Sequence, residues 1–276
     1  MKKIAFIGAG TMGTALASAA CRGNDPQDVA VTDVVWEKAK KLAEELGCAA
    51  VETNREAVEA AEYVVFCVKP QFLDGVLREV KDVFAACAAR GEKKVIVSIV
   101  AGIEVKHFQE MLELDGKNVS VIRTLPNTAC LIGKGFILIE QGDSYSAEEE
   151  AELRQLLREA GGFESLPASM FVAGSVLTST SPAFIAMFAN SLADAGVYNG
   201  LLRPQARQLA LQGILCATQL FLSSDRHLEA YKDDVCSPAG PAMIGVKSLE
   251  DSGFRSSVIN AVVDAYRRFA EMKNVK

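Results

Sequence analysis

The segment KIAFIGAGTMG, residues 3–13, joins an apolar strand-like run to a glycine-rich turn and decides the fold of the first half of the chain. Gly8, Gly10 and Gly13 have the GxGxxG spacing, and the residues that follow suit a helix. In such a strand–turn–helix the first glycine allows the tight turn, the second lets the backbone approach a pyrophosphate, and the third permits close packing of helix on strand. We therefore predict a dinucleotide site here, with a glycine-rich turn that binds no ligand as the alternative.

The helix that opens at this turn starts with Thr11 and Met12, which places the phosphates at the helix N-terminus. Asp33 ends the next strand-like run, where an acidic side chain accepts hydrogen bonds from ribose hydroxyls and repels a 2′-phosphate. Because no arginine follows within the next several residues, the sequence favours NADH over NADPH. The alternative role for Asp33 is to cap the helix that begins near Val34.

Short β-rich runs alternate with helix-length segments through the first 166 residues. The predicted strands are residues 3–7, 29–32, 63–68, 94–99, 119–123 and 136–140. This alternation is typical of an α/β fold in which helices cover a parallel sheet.

Three consecutive strand ends carry residues suited to a ligand site, because ligands in such sheets bind outside the carboxyl ends of the strands. The run Val68-Lys69-Pro70 follows one predicted strand, Ala101-Gly102 follows the next, and Asn127 comes after a third. Lys69 is placed to contact a cofactor or an anion, and Asn127 offers a polar anchor for a carboxamide or a substrate. Each also fits ordinary turn chemistry, but their recurrence at three strands favours a cofactor crevice.

From Ser169 onward, long segments with few strand signals predict an all-helical second domain. The boundary is expected between residues 166 and 167, which gives a dinucleotide-binding domain of 1–166 and a helical domain of 167–276. The segment 171–200 is apolar around much of its circumference and needs cover on several sides. A small helical domain has limited surface to supply that cover, so we expect a homodimer through the C-terminal helices.

Charge and composition limit the classes of binding partner and of site that the sequence predicts. The formal net charge of −6 leaves no general excess of positive charge for a nucleic acid. The seven cysteines show neither CxxC nor Cys/His ligand spacing, so neither a disulfide framework nor a metal site is expected.

No segment has the pattern of a signal peptide or a membrane span, which predicts a cytoplasmic protein without a membrane partner. The two histidines lie in polar helical patterns, so the mechanism is expected to work without histidine.

Several motifs together resemble those of pyrroline-5-carboxylate reductases, in order and spacing and over nearly the whole chain. They are the GxGxxG turn, Cys67-Val68-Lys69-Pro70-Gln71, Ser98-Ile99-Val100-Ala101-Gly102-Ile103, Arg123-Thr124-Leu125-Pro126-Asn127-Thr128, Pro182-Ala183-Phe184, Ser237-Pro238-Ala239-Gly240 and Gly253-Phe254-Arg255. The resemblance implies a Rossmann-type doubly wound, mostly parallel sheet followed by an all-helical dimerisation domain, often in rings of dimers. It also implies NAD(P)H-dependent reduction of the cyclic imine 1-pyrroline-5-carboxylate to L-proline, in proline biosynthesis.

Two loops of the helical half depart from the family pattern. The family has Ser-Gly-Ser-Gly-Pro-Ala before its long central helix, whereas residues 178–183 read Thr-Ser-Thr-Ser-Pro-Ala. The family's Ser-Pro-Gly-Gly loop continues with threonines, one of which is credited with contacting the substrate ring nitrogen, whereas residues 237–242 end without a hydroxyl. The resemblance places the substrate pocket at Thr180, Ala239, Gly240 and Ala242.

Hydride transfer to a protonated cyclic imine requires no strong protein acid, because such conjugate acids are populated near neutral pH, and positioning does most of the work. The substrate carboxylate is expected to bind backbone N–H groups of residues 238–242 and the Thr180 hydroxyl. The alternative is a reductase-like protein that binds dinucleotide but takes a different imine or has a regulatory, non-catalytic role. A β-hydroxyacid dehydrogenase is disfavoured, because no lysine lies between Lys134 and Lys232, where its catalytic lysine belongs.

Overall fold

The computed structural model describes residues 1–113 and 119–272, which form two compact units. One unit comprises residues 1–179 together with the end of the chain from Arg268, and the other comprises residues 180–267. The helix that follows residue 167 packs against the sheet of the first unit. The domain boundary between residues 166 and 167, which marks a change in element type, stays a prediction.

The first unit is built on an eight-stranded sheet, counted over the described residues. Its strands are β1 (Lys2–Ile7), β2 (Val29–Thr32), β3 (Ala49–Ala50), β4 (Ala61–Phe66), β5 (Lys94–Ser98), β6 (Val119–Pro126), β7 (Gly135–Gln141) and β8 (Gly161–Pro167). The strand order is β3-β2-β1-β4-β5-β6-β7-β8, and every neighbouring pair is parallel except β6 with β7. The doubly wound, mostly parallel sheet predicted from the sequence is confirmed.

Helices cover this sheet and make up the second unit, which confirms the predicted helical C-terminal half. The helices are α1 (Thr11–Gly23), α2 (Trp36–Leu46), α3 (Asn54–Ala60), α4 (Pro70–Ala89), α5 (Val105–Leu112), α6 (Ala147–Leu156), α7 (Ala168–Ser175), α8 (Ser181–Tyr198), α9 (Arg203–Leu222), α10 (Leu228–Val235), α11 (Pro241–Asp251) and α12 (Phe254–Met272). A π-helical turn, Val176–Thr180, separates α7 from α8.

The core of the first unit lies on both faces of the sheet, because successive side chains of a strand point to opposite sides. In β1, Ile4 and Phe6 join one apolar cluster, whereas Ala5 and Ile7 join the other. Strands buried on both faces read as continuous apolar runs rather than as alternating patterns. This burial explains why the central strands were recognisable from the sequence.

The strand ends differ from the predictions where tertiary contacts decide them. β4 ends at Phe66, two residues before the predicted end, so Val68 lies in the turn before α4. β6 continues to Pro126, three residues beyond its predicted end, because it gains antiparallel pairing with β7. β3 and β8 lie outside the six predicted runs. β8 contains no β-branched residue, and parallel pairing with β7 along its whole length holds it in the sheet.

The helices of the second unit expose much apolar surface. Met187 of α8 is 75% exposed and Ile244 of α11 is 64% exposed. An apolar groove of about 390 Å³ runs between α8 and α9, lined by residues that include Leu192 and Leu209. The cover expected for the segment 171–200 is therefore not supplied within this unit.

One helical stretch, Ala168–Tyr198, is long and apolar enough to cross a membrane by length and composition. Core and interface helices of other proteins pass the same test, so the evidence for a span is weak. The expectation of no membrane partner stays a prediction.

Candidate functional site

The glycine-rich turn packs tightly at two of its three glycines. Gly8 has a φ of +110°, and a Cβ added there would lie 2.8 Å from the Cys67 carbonyl oxygen. A Cβ added to Gly13 would lie 1.9 Å from the Gly8 carbonyl oxygen, closer than any side chain tolerates. The backbone itself therefore requires glycine at both positions, because α1 starts against this turn and against the end of β4.

Gly10 is different, because a Cβ there would meet no described atom within 4 Å. Gly10 is the exposed N-cap residue of α1, and the first helical hydrogen bond runs from the Thr14 N–H to its carbonyl oxygen at 2.8 Å. The N–H groups of Thr11 and Met12 precede that bond, and Gly10 has no side chain to cap them. The turn presents open backbone and unused helical donors at the positive end of the helix dipole, which fits a pyrophosphate.

Asp33 ties the glycine-rich turn to the end of β2. Its Oδ2 accepts a hydrogen bond from the Ala9 N–H at 2.7 Å, and its Oδ1 accepts one from the Val35 N–H at 2.9 Å. Asp33 does not cap α2, because the N-cap residue of that helix is Val35. Each carboxylate oxygen keeps a further lone pair, so contact with ribose hydroxyls is compatible with these bonds and stays a prediction.

The three residues after Asp33 are apolar, and the acidic Glu37 comes before the first cation, Lys38. Val34 is 100% exposed and Val35 is 48% exposed, and Trp36, the single tryptophan of the chain, begins α2. A carboxylate beside exposed apolar residues fits ribose hydroxyls better than it fits a 2′-phosphate.

The ends of β1, β4, β5 and β6 lie at one edge of the sheet, because these strands are parallel. This carboxyl edge also carries the glycine-rich turn. Lys69 is exposed as the N-cap residue of α4, and Gly102 has a φ of +79° in the turn after β5. The residues predicted to line the crevice after β4 and β5 follow these strand ends: Val68, Lys69, Pro70, Ala101 and Gly102.

Asn127 stands at the same edge, directly after β6, and its amide is engaged within the first unit. Its Nδ2 donates to the Thr178 carbonyl oxygen at 3.0 Å, and its Oδ1 accepts from the Phe136 N–H at 3.2 Å. One N–H of the amide has no role in these two bonds. Contact of Asn127 with a carboxamide stays a prediction, whereas its internal bonds are a finding of the structure.

Two residues behind the site belong to motifs of the sequence but were assigned no role from it. Cys67 backs the glycine-rich turn, and burial raises the pKa of its thiol, so this cysteine is a packing residue rather than a nucleophile. Arg123 is 4% exposed, pairs with Glu140 at 2.5 Å, and lies over the Phe171 ring at 4.7 Å from its centroid. An arginine that directly follows the apolar pair Val121 and Ile122 in a predicted strand was the signal that could have revealed it.

Both histidines make contacts within the protein, and the expectation of a mechanism without histidine stays a prediction. His107 is partly buried, and its Nε2 lies 2.7 Å from Asp74 Oδ1, where α5 meets α4. His227 is the N-cap residue of α10 and accepts from the Glu229 N–H at 3.3 Å.

In the second unit, the predicted substrate loop is a tight turn before α11. Ala239 has a φ of +56°, which is unfavourable for any residue with a Cβ. The Gly240 N–H donates to the Ser237 carbonyl oxygen at 2.9 Å, and a Cβ added to Gly240 would lie 2.3 Å from Ser237 Oγ. A side chain at 240 would displace the Ser237 hydroxyl, and the turn tolerates alanine at 239 only with backbone strain.

The start of α11 limits which backbone N–H groups can bind the substrate carboxylate. Gly240 is the N-cap residue, Pro241 has no N–H, and the first helical bond runs from the Ile244 N–H to the Gly240 carbonyl oxygen at 3.2 Å. The Ala242 and Met243 N–H groups therefore precede the first helical bond. This corrects the broader expectation for residues 238–242, because Pro238 and Pro241 have no donor and the Gly240 donor is used by Ser237.

Thr180 closes the π-helical turn and is the N-cap residue of α8, where its side chain makes no capping hydrogen bond. Thr180 as a residue is partly buried. Contact of its hydroxyl with a substrate stays a prediction.

Two family models match the chain. Residues 168–272 match the model described as "Pyrroline-5-carboxylate reductase dimerisation", and residues 3–102 match the model described as "NADP oxidoreductase coenzyme F420-dependent". The second match supports a nicotinamide cofactor at the glycine-rich turn.

Two relatives that match over nearly the full length are pyrroline-5-carboxylate reductases. A pyrroline-5-carboxylate reductase of Pisum sativum is 33% identical over 270 residues, which cover 98% of this chain and 95% of the relative. The enzyme of the same name from Methanosarcina acetivorans is 31% identical over 273 residues, which cover 98% of both chains.

Solved structures agree with the sequence relatives. The pyrroline carboxylate reductase of Plasmodium falciparum, solved with NADP bound, has a TM-score of 0.85 and 25% identity and covers 99% of this chain and 98% of its own. A pyrroline-5-carboxylate reductase of Coxiella burnetii has a TM-score of 0.87 at 24% identity over 98% of both chains, which shows a shared fold.

Proposed function

Because the chain belongs to the pyrroline-5-carboxylate reductase family, we propose that it reduces 1-pyrroline-5-carboxylate to L-proline with a reduced nicotinamide cofactor. The observation that carries this proposal is the open turn at Gly10, where packing leaves space beside the unused donors at the start of α1. A glycine that the fold does not require at this point is best explained by a ligand that approaches the backbone.

The cofactor we propose is NADH in preference to NADPH. Support comes from the Asp33 carboxylate at the end of β2 and from the absence of a cation on the residues directly after it. The Plasmodium relative was solved with NADP bound, so family membership alone does not favour NADH. The ratio of kcat/KM for NADH to that for NADPH measures this preference.

In the proposed mechanism the chain binds and orients the cofactor and the substrate, and its side chains exchange no proton with them. The N–H groups of Thr11 and Met12 bind the pyrophosphate, and Asp33 accepts from the ribose hydroxyls. The reduced nicotinamide supplies the hydride. The Ala242 and Met243 N–H groups bind the substrate carboxylate at the positive end of α11. Since the imine is protonated in solution, no histidine or lysine of the chain needs to donate a proton.

We also propose a homodimer assembled through the C-terminal helices, and a ring of such dimers as a larger form. The exposed apolar side chains of α8 and α11 and the match to a dimerisation model support it. The proposed compartment is the cytoplasm.

A second candidate function is dinucleotide binding with a different imine substrate or without turnover. The substrate loop favours this alternative, because Pro241 removes a backbone donor and Ala239 holds a strained conformation. Loss of one transition-state hydrogen bond typically lowers a rate roughly a hundredfold. Activity with the five-membered imine is therefore expected to be slow rather than absent.

The experiment is to measure oxidation of NADH and NADPH by the purified protein with 1-pyrroline-5-carboxylate, beside the six-membered-ring analogue. Formation of proline, identified by mass, supports the proposed function, and faster turnover of the larger ring points to a different imine. Dinucleotide binding without turnover of either imine excludes the enzyme proposal and favours the binding role.

A further inference from the structure

The sequence places no α-helical N–H donor opposite the carbonyl group of Thr178. In an α-helix this carbonyl accepts from the N–H four residues later, and that residue is Pro182, which has no N–H. A proline ring also clashes with the carbonyl four residues before it, and the chain forms the π-helical turn Val176–Thr180 at this point. Pro182 therefore excludes an α-helical donor for the Thr178 carbonyl, and the structure shows a side-chain donor to it instead.

Asn127 supplies that donor through its Nδ2 at 3.0 Å. Its Oδ1 accepts from the Phe136 N–H, one step beyond the last antiparallel pair of β6 with β7, which is Pro126 with Ile137. One amide thereby joins the end of β6, the start of β7 and the π-helical turn. An aspartate of the same shape keeps the acceptor and loses the donor, because an ionised carboxylate only accepts.

A second bond attaches the same turn to the same strand end. Ser179 Oγ donates to the Pro126 carbonyl oxygen at 3.4 Å, next to the Asn127 bond. Both bonds lie at the carboxyl edge of the sheet, where the cofactor residues are predicted. The turn is thus held at that edge by the Ser179 side chain and by the Thr178 carbonyl group.

We propose that Asn127 is a positioning residue for imine reduction: it holds residues 176–179 of the π-helical turn at the carboxyl end of β6, directly before Thr180 in the chain. This inference rests on the proposed function, because its main readout is turnover of the imine. It differs from a cofactor contact by Asn127, since the amide acts here through the turn.

The test compares Asn127→Asp with a matched control, Asn24→Asp. Asn24 Nδ2 also donates to main-chain carbonyl oxygens, of Ala20 and Leu156, both at 2.8 Å. Asn24 follows α1, at the end opposite the glycine-rich turn, and that helix of 13 residues is about 20 Å long. The control therefore makes the same substitution away from the carboxyl edge, next to Arg158, whose Nη1 donates to Asn24 Oδ1 at 3.3 Å.

The measured quantities are kcat and KM for 1-pyrroline-5-carboxylate, the cofactor Kd from energy transfer between Trp36 and NADH, and Tm. Asn127→Asp is expected to lower kcat at least tenfold, to leave the cofactor Kd within about threefold, and to lower Tm by roughly 3–6 °C. Asn24→Asp is expected to lower Tm with kcat unchanged. A rise in cofactor Kd that accounts for the whole loss would show direct cofactor binding and overturn the proposal, as would an unchanged kcat.

A double-mutant cycle with Pro182→Ala tests the bond independently of turnover. Alanine at 182 gives the Thr178 carbonyl an N–H four residues later, so the Tm loss caused by Asn127→Asp is expected to fall by at least half in that background. An equal Tm loss in both backgrounds overturns the proposal. If the wild-type protein turns over neither imine, the proposed function fails while this cycle still tests the role of Asn127.

Discussion

At the scale of single residues, the three glycines of the turn are required for two different reasons. Gly8 and Gly13 are confined by the backbone around them, whereas Gly10 faces open space. The spacing GxGxxG is the same in both cases, and only the atoms around each glycine distinguish packing from ligand approach.

Gly10→Ala is expected to raise the Kd for NADH at least tenfold without lowering Tm. The added methyl group has room in the protein but occupies the surface that the pyrophosphate approaches. Fluorescence titration through Trp36 measures binding. The matched control is Gly75→Ala, at an exposed position of α4 where a Cβ also meets nothing within 4 Å. Equal NADH binding by both variants would contradict a cofactor role for Gly10.

Ala239→Gly is expected to raise the free energy of unfolding by about 1 kcal/mol, because alanine in the left-handed region costs about 1–2 kcal/mol. The φ of +56° at Ala239 is the reason for the gain. The control, Ala242→Gly in the first turn of α11, is expected to lower stability, since glycine costs about 1 kcal/mol in a helix. Urea unfolding at fixed protein concentration compares the two, and losses in both variants would argue against strain at 239.

At the scale of elements, α7 is attached to the sheet by a buried cation. Arg123 of β6 pairs with Glu140 of the antiparallel neighbour β7 and lies over the Phe171 ring of α7. Both strands and the helix therefore contact one side chain. Removing one partner of a buried ion pair leaves an uncompensated charge, whereas an exposed pair contributes little.

Glu140→Gln is expected to lower the free energy of unfolding by about 3 kcal/mol, because it leaves the Arg123 guanidinium buried without a counterion. The double variant Arg123→Met with Glu140→Gln is expected to recover part of that loss. Asp82→Asn, which breaks the exposed pair with Arg55, serves as control and should cost under about 1 kcal/mol. Chemical denaturation gives all three values, and similar losses for the buried and exposed pairs would refute the argument.

At the scale of the whole molecule, the two units differ in how they treat apolar residues. The first unit buries its strands on both faces, whereas the second leaves large apolar side chains of α8, α9 and α11 exposed. Exposed apolar surface of this extent is typical of an interface between subunits. The exposed helices therefore predict that the whole molecule assembles from more than one subunit.

Met187→Glu is expected to convert the dimer, of twice the 29.5 kDa chain mass, into a monomer. A charge buried in an apolar interface costs several kcal/mol unless it is paired. Ile132→Glu is the control, because Ile132 and Met187 are both 75% exposed but Ile132 lies in the first unit. Sedimentation analysis measures the mass of each variant in solution. A dimer that persists in Met187→Glu but not in Ile132→Glu would place the interface on the first unit instead.

Much of this protein follows from its sequence alone. The glycine-rich turn, the continuous apolar runs of β1, β4 and β5, and the change to helical patterns after Ser169 are local signals, and they predicted the fold class and the family. Such signals depend on neighbours in the chain, so no tertiary knowledge was needed to interpret them. The strands at the sheet edges lacked these signals and depended on their partners.

Only the tertiary structure decided how the site is held together. The role of Asn127 depends on Thr178, 51 residues away along the chain, and Asp33 meets Ala9 across 24 residues. The same is true of Gly13, whose need for glycine arises from the Gly8 carbonyl and from the end of β4. Hydrogen bonds and close contacts act over a few ångströms in space whatever the separation in sequence. No pattern of neighbouring residues therefore encodes these contacts, and only folding brings their atoms together.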